Sequence, residues 1–164
     1  MALSLSGFLA GIGCCKHPPE PSDAEQKDGP WIIAEGKENE KPILYRVRMS
    51  IPSNVEVSEY PYLMSILWEY DQENESGMPT SKQNEQQLSF DDALDAIDNA
   101  GAGILMIVVT GNGRREWIWY VNDKTQWSQQ LHKALEGHAV YPIDIEQSED
   151  GNWETYRTFK DNLK

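Results

Sequence analysis

The stretch VVTGNGRREWIWYVND, residues 108–123, holds the residue types in this sequence that most invite a chemical interpretation. Its Gly-Asn-Gly core, followed by Arg114 and Arg115, has the composition of a phosphate-binding loop. A phosphate cradle needs such a loop to run into a helix N-terminus, where free N–H groups and the helix dipole bind the anion. Here the loop runs into REWIWYV, which alternates as a strand does. Asn112-Gly113 is the dipeptide of a primed β-hairpin turn, so we predict a turn.

Six residues of this hairpin are candidates for a binding site, and four kinds of role are open to them. We expect the arginines to form salt bridges with this acidic chain and Glu116 to pair with one of them. Alternatively, Glu116 could act with Asp144 or His132 in a small hydrolase, or the aromatic side chains could bind a small ligand. Packing in the core is the favoured role for those aromatics. The six candidates are Arg114, Arg115, Glu116, Trp117, Trp119 and Tyr120.

Residues that could perform nucleophilic catalysis or hold a metal ion are few elsewhere in the chain. Such catalysis needs an activated Cys, Ser or Lys with a base in reach, but the only cysteines, Cys14 and Cys15, fall in an N-terminal tail. The three histidines have no evident carboxylate partner in the sequence. We therefore predict no catalytic residue, no metal site and no cofactor, and the sequence favours a protein that is not an enzyme.

Periodicity predicts the elements that position the hairpin. YPYLMSILWEYD, from Tyr60, alternates as a strand with one strongly buried side, and the unbroken apolar run at residues 104–109 predicts a central strand. Helical spacing and capping signals predict helices between Thr80 and Gly101 and between Asp123 and Gly137. A last strand is predicted through Tyr141, Ile143 and Ile145.

The order from Tyr60 is therefore strand, helix, hairpin, helix, strand. This order is typical of the ferredoxin-like split βαβ arrangement (βαββαβ), an α+β fold with an antiparallel sheet and two helices on one face. We expect two additions to it. An N-terminal hairpin is predicted over residues 31–50, and a short C-terminal helix should turn Trp153 and Tyr156 inward.

The first predicted helix carries a series of four aspartates, mostly opposite its apolar residues. A carboxylate cluster could hold a metal ion, but no histidine or further acid converges at ligand spacing. We therefore expect these side chains to form a solvated helix face. They are Asp91, Asp92, Asp95 and Asp98.

Length and charge limit the domain organisation and the partners. A chain of 164 residues has room for one domain with a real core, which we place at residues 30–164 after a flexible tail and linker at residues 1–29. The formal net charge is −13, from 27 acidic and 14 basic residues. Such a surface repels nucleic acid and suits a basic protein surface, although acidity also serves solubility alone.

The N-terminal tail allows two interpretations of where the protein resides. Adjacent cysteines cannot build a disulfide framework or a complete metal site, which favours a reducing cytoplasm. Residues 2–13 are apolar but too short to span a bilayer. The alternative is membrane contact through residues 1–15, by surface association or by a degenerate export or acylation signal ending at Cys14.

Several motifs in combination resemble a known family. They are Trp31, EKPILYRVR, YPYLMSILWEY, FDDALDAI, TGNGRREWIWYVND and EDGNWETY. Over about residues 31–163 they resemble a bacterial family known as domain of unknown function 695. The resemblance implies relatives joined to a domain similar to the inhibitor of ribonuclease E, and it implies no catalytic residue. This chain departs from the family by its longer tail and by the absence of a second domain.

The sequence thus favours a non-catalytic binding or regulatory protein. Helices can cover one face of the aromatic-rich sheet, and the second face needs the N-terminal hairpin, the last helix, a second copy of the chain or a partner protein. The most concrete form of this hypothesis is an acidic inhibitor or immunity-type protein that blocks a basic, nuclease-like target.

Overall fold

The structure is a computed structural model that describes residues 30–99 and 101–163. The tail and linker predicted for residues 1–29 lie outside the described residues. The described chain is α+β, with a six-stranded sheet and three helices. The strands are β1 (Trp31–Glu38), β2 (Lys41–Arg48), β3 (Tyr62–Glu69), β4 (Gly103–Gly111), β5 (Arg114–Val121) and β6 (Asp144–Glu149). The helices are α1 (Ser81–Asn99), α2 (Lys124–Ala134) and α3 (Glu154–Asn162).

All neighbouring strands of the sheet are antiparallel, in the order β1-β2-β4-β5-β3-β6. The apolar run at residues 104–109 lies in β4, an interior strand, as predicted. Asn112 and Gly113 join β4 to β5 with positive φ angles of 50° and 81°, so the primed-turn prediction is confirmed. The N-terminal hairpin is also confirmed as β1 and β2, but it extends the sheet beside β4 and does not cover a face.

Helices α1 and α2 cover one face of the sheet. Alternation along the strands and helical spacing along α1 and α2 bring their apolar side chains into one layer. The contacts within this layer set the orientation of α1 over the sheet. Its buried residues include Met64, Ile66 and Trp68 of β3, Trp117, Trp119 and Val121 of β5, Phe90, Leu94 and Ile97 of α1, and Trp127 and Leu131 of α2.

Helix α3 packs on the other face through aromatic contacts. Trp153 stacks on Tyr120 of β5, with ring centroids 4.0 Å apart and ring planes 13° from parallel. The Trp153 indole N–H donates to the carbonyl of Tyr60 over 2.9 Å, and the Tyr156 hydroxyl donates to the carbonyl of Arg48 over 2.8 Å. Helix α3 therefore covers this face of the sheet.

Capping residues determine where α1 and α2 begin. Thr80 and Gln83 form the predicted capping box, in which each backbone N–H donates to the other side chain, over 2.7 and 3.3 Å. Asp123 caps α2 as predicted, because its carboxylate accepts the N–H groups of Thr125 and Gln126.

The predicted start of the last strand is wrong by a few residues. The strand β6 begins at Asp144, whereas Tyr141 and Ile143 pack against the core from the preceding segment. Pro142 has no N–H to give to a ladder. The N–H of Ile143 turns back to the carbonyl of Tyr141, over 3.0 Å. The chain therefore reaches the edge of the sheet only after this turn.

The expectation of a solvated aspartate face on α1 holds for only part of the series. Asp92 and Asp95 are exposed. Asp98 instead pairs with Arg48 of β2 over 2.8 Å, and the mostly buried Asp91 pairs with Arg115 of β5. The sequence shows the acids, but not that two strands direct arginines at this helix.

We expect Asp150 to make the fold sensitive to acid. Its carboxylate accepts hydrogen bonds from the Tyr120 hydroxyl and from the N–H groups of Glu154 and Thr155, over 2.8, 2.7 and 2.9 Å. Burial alone would raise the pKa of Asp150, but these donors outweigh burial and hold the pKa below its usual range. Because the folded-state pKa lies below the unfolded value of about 3.9, the stabilisation is present above that value and is lost as the pH falls through the folded pKa.

Urea unfolding of the wild type and of Asp150→Asn measures this contribution. The stability difference between the two proteins should be largest near pH 5 and should shrink as the pH falls toward about 3. A difference that does not change with pH would contradict the assignment.

Candidate functional site

The N–H of Gly113, at the Asn112-Gly113 turn, is already bonded within the protein. The N–H of Gly113 donates to the carbonyl of Gly77 over 2.9 Å, and the carbonyl of Gly113 accepts the N–H of Tyr70 over 2.9 Å. The strand β5 begins at the next residue, Arg114, and no helix follows the turn. The glycines therefore allow the chain to reverse direction, as the sequence predicts.

The two arginines after the turn point to opposite faces of the sheet and both form salt bridges, as expected. Arg114 donates to both carboxylate oxygens of Glu38, over 3.1 and 2.9 Å, and its Nε lies 3.8 Å from Glu116. The hydrogen bonds from Arg114 lower the pKa of Glu38. Arg115 is buried and donates to Asp91 of α1.

Asp91 joins α1 to two strands of the sheet, β5 and β2. Its carboxylate accepts the Arg115 guanidinium and the indole N–H of Trp117, and Arg46 of β2 lies 3.7 Å away. The Asp91 side chain is only 12% exposed. Burial lowers the pKa of Arg115, and the charge of Asp91 opposes that shift. This cluster links α1 to the sheet, because Asp91 neutralises the buried Arg115 guanidinium and accepts the Trp117 indole N–H.

The residues proposed for a hydrolase do not come together. Glu116 accepts the Ser65 hydroxyl over 2.6 Å and lies beside Arg114. Asp144 and Glu116 both pair with Leu67, from opposite sides of β3, so about 10 Å of sheet separates them. His132 is exposed on α2, which covers the other face of the sheet.

The aromatic candidates of β5 are core residues. Trp117 and Trp119 are fully buried under α1 and α2, and Tyr120 is fully buried under α3. Burial and the hydrogen bond to Asp150 raise the pKa of Tyr120. None of these three rings is exposed at the protein surface.

An open concavity lies at the end of the sheet that holds the Asn112-Gly113 turn. We call it the acidic groove. Its volume is about 740 Å³, which is within the range of ligand and peptide sites. Four segments line it: residues 68–72 at the end of β3, the turn and Arg114, Gln83 and Gln86 of α1, and residues 139–142 before β6.

The floor of the acidic groove is aromatic and its rim carries an apolar side chain. Trp68 and Tyr141 lie in contact, with ring centroids 5.3 Å apart, and both rings touch Phe90 of the core. The Tyr141 hydroxyl lies 3.1 Å from His138 Nδ1. Val140 at the rim is 100% exposed. A partner therefore meets the half-buried Tyr141 ring, which packs on the buried Trp68, and one apolar contact at the edge.

The charge of the acidic groove comes from an alternating run of acids. Glu69, Asp71, Glu73 and Glu75 are all exposed, and the first two line the groove. None of the four pairs with a lysine or arginine within residues 30–99 and 101–163. Arg114 faces Glu69 across the β3–β5 ladder, but its guanidinium is bound to Glu38. The groove therefore keeps a net negative charge.

Sequence reasoning missed these acids as a site, because the stretch DQENE reads as a polar loop before a helix. The signal was present in the alternation, since an acid stands at every second position from Glu69 to Glu75. What the alternation could not show is that the loop folds back along Gly113 and opens beside Tyr141.

No metal site or membrane span accompanies the groove in the described part of the chain. No three His, Cys, Asp or Glu side chains there are placed to hold a metal ion. None of the three helices is both long enough and apolar enough to cross a bilayer.

A sequence profile of a family of unknown function, DUF695, matches residues 30–160. The chain belongs to the DUF695 family. No curated protein matches the chain. The match runs from the start of β1 into α3, so the DUF695 region contains both the acidic groove and the Asp91 cluster.

The motifs that carry the DUF695 resemblance have structural roles in this chain. Gly113 makes the turn, and the two arginines and Glu116 make the ion pairs described above. In EDGNWETY, Asp150 accepts the first N–H groups of α3, and Trp153 packs on Tyr120. Six of the fourteen residues that line the acidic groove belong to these motifs, and eight lie outside them.

Proposed function

We propose that this DUF695 protein is a non-catalytic binding and regulatory protein, whose acidic groove docks a basic segment of a target protein. The observation that carries the proposal is the coincidence, at one open groove, of an aromatic floor with two exposed acids, Glu69 and Asp71, that have no basic partner in the described chain. Glu73 and Glu75 add two more exposed acids in the loop that follows. A lysine or arginine side chain fits both features, because its cation is attracted to carboxylates and to the faces of aromatic rings.

Electrostatic attraction raises the association rate of such a site with a basic partner and makes the site selective for basic partners. The formal charge of −13 attracts a basic surface from a distance, and the acids of the groove orient it at close range. Exposed ion pairs contribute little affinity one by one. Apolar contact with Val140 and Tyr141 therefore has to supply part of the binding free energy.

A nuclease-like protein is the target class that we favour, with this chain as an inhibitor or immunity-type partner. The cleft of a nuclease is basic because it binds phosphates, so an acidic groove can occupy it. The relatives implied by the resemblance, which are joined to a domain similar to an inhibitor of ribonuclease E, support this class. Glu116 accepts the Ser65 hydroxyl and lies beside Arg114, and Asp144 and His132 lie apart from it, which supports a role without catalysis.

Two matched variants test the site. The groove variant combines Glu69→Gln, Asp71→Asn, Glu73→Gln and Glu75→Gln. The control variant removes the same charge from the opposite end of β3, with Glu56→Gln, Glu59→Gln, Glu149→Gln and Glu154→Gln, all of them exposed. Each protein serves as bait in a lysate of the native host at about 50 mM and about 150 mM salt, where the Debye length falls from about 14 to about 8 Å.

We expect a basic protein to be captured by the wild type and by the control variant. The groove variant should bind it at least about tenfold more weakly, mainly through slower association. Equal loss in both variants would mean that only net charge matters, and the groove assignment would be wrong. Recovery of no basic protein at either salt concentration would contradict the binding function itself.

We also propose a specific topology for this α+β fold. The strands β4-β5-β3-β6, with α1 and α2 on one face, support a ferredoxin-like split βαβ unit to which the β1–β2 hairpin and α3 are added.

A further inference from the structure

The two edge strands of the sheet differ in how they are protected from pairing with another chain. The edge strand β6 reads DIEQSE and is exposed along its whole length, with three carboxylates. Charged side chains are a common protection of sheet edges. The opposite edge strand, β1, begins WIIA, with no charge in its first four residues. Its Ile33 side chain is 75% exposed.

The geometry of the sheet explains why β1 is left open. Six strands span about 24 Å at about 4.8 Å per spacing, whereas two helices side by side cover about 20 Å. The helices α1 and α2 pack over the strands from β4 to β3, so β1 extends beyond them. Trp31 and Ile33 lie on this helix side of β1, with Leu88 of α1 exposed nearby.

Within residues 30–99 and 101–163, no backbone group pairs with the outer edge of β1. The carbonyl of Pro30 accepts the N–H of Met49, so even-numbered residues of β1 face β2. In an antiparallel ladder the alternate residues face the other way. Trp31, Ile33 and Glu35 therefore present their N–H and C=O groups outward.

We propose that a second copy of this chain pairs with β1 through β1, in an antiparallel register centred on Ile33. A two-fold axis at Ile33 sets that side chain against Ile33 of the partner subunit and Trp31 against the partner's Glu35. Such a pairing adds about six backbone hydrogen bonds. It buries the most exposed apolar residue of the edge against itself.

Charge complementarity favours this register. The Trp31 ring lies under the guanidinium groups of Arg46 and Arg48, at 5.1 and 4.9 Å. The partner's Glu35, set opposite Trp31, therefore meets the partly exposed cation of Arg46, and the two-fold axis repeats the contact. Arg48 lies deeper and is bound to Asp98. The register also keeps Glu35 four residues away from Glu35 of the partner subunit.

The mass in solution tests the pairing. Sedimentation at about 100 μM protein and about 150 mM salt should give twice the 18.7 kDa of one chain. Ile33→Lys should reduce the mass to that of the monomer. Ile145→Lys changes the 45%-exposed isoleucine of the other edge strand in the same way and should leave a dimer. Circular dichroism checks that both variants are folded.

A cysteine pair tests the register, in a background with Cys14→Ser and Cys15→Ser. Ile32 faces Ala34 of the partner subunit at a non-hydrogen-bonded position, where Cα atoms are close enough for a disulfide. A mixture of the Ile32→Cys and Ala34→Cys chains should therefore form a disulfide-linked heterodimer on mild oxidation. A wild-type monomer, a monomer produced by Ile145→Lys alone, or linkage of Ala34→Cys only to itself would each overturn the proposal.

Discussion

Replacing Asp91 by alanine is expected to lower the free energy of unfolding by about 3–5 kcal/mol. The variant leaves the buried Arg115 guanidinium without its carboxylate and takes the acceptor from the indole N–H of Trp117. Loss of one member of a buried ion pair is costly, because the other charge stays out of water uncompensated. Urea unfolding followed by circular dichroism should show the loss as a lower midpoint with an unchanged slope.

Asp92→Ala is the matched control for this prediction. Asp92 is the next residue of α1 and is exposed, so its replacement gains the same helix propensity and should change stability by less than about 0.5 kcal/mol. The double variant Asp91→Ala, Arg115→Leu should recover part of the loss, since it removes both charges together. A loss below about 1 kcal/mol in Asp91→Ala would show that the cluster does not support the fold.

Trp153→Ala is expected to destabilise the protein by about 3–5 kcal/mol, the range for a large buried aromatic residue. The side chain is fully buried, stacks on Tyr120 and donates to the carbonyl of Tyr60. Its removal frees α3 from the sheet and exposes the apolar face that α3 covers. The fluorescence midpoint in urea should fall, and a dye that binds apolar surface should bind the variant more strongly.

Phe159→Ala is the control on the same helix. Phe159 is only partly buried and contacts Tyr45 at a ring distance of 4.9 Å, so its loss should cost less than half as much. Trp153→Gly should cost about 1 kcal/mol less than Trp153→Ala, because the φ of 56° at this position is left-handed and suits glycine. Equal effects of Trp153→Ala and Phe159→Ala would contradict the central role of the stack.

The acidic groove shows where prediction from the sequence reached its limit. The strand that ends at Glu69, the turn at Asn112 and the start of α1 are each readable from a few neighbouring residues. Their meeting at one place depends on the ladder between β3 and β5 and on the return of residues 139–142 beside Trp68. These contacts join residues as many as 70 positions apart in the sequence, and no local pattern records them.

The Asp91 cluster shows the same limit for electrostatics. The sequence indicates that Arg115 has an acidic partner, since the chain carries 27 acids. The sequence does not indicate whether Asp91 or Asp92 is this partner. The two are adjacent acids on one helix and differ only in the direction of their side chains. The choice follows from the way in which α1 packs on the sheet.

The sequence by itself determined the elements of this protein: the hairpin at Asn112-Gly113, the capped starts of α1 and α2, and the buried faces of β3 and β5. These features follow from backbone preferences and side-chain periods that act over a few residues. Only the tertiary structure decided that α3 covers the second face, that Asp91 lies among arginines and that an acidic groove stays open. These outcomes depend on packing between distant segments, where the burial of each charge is set by everything around it.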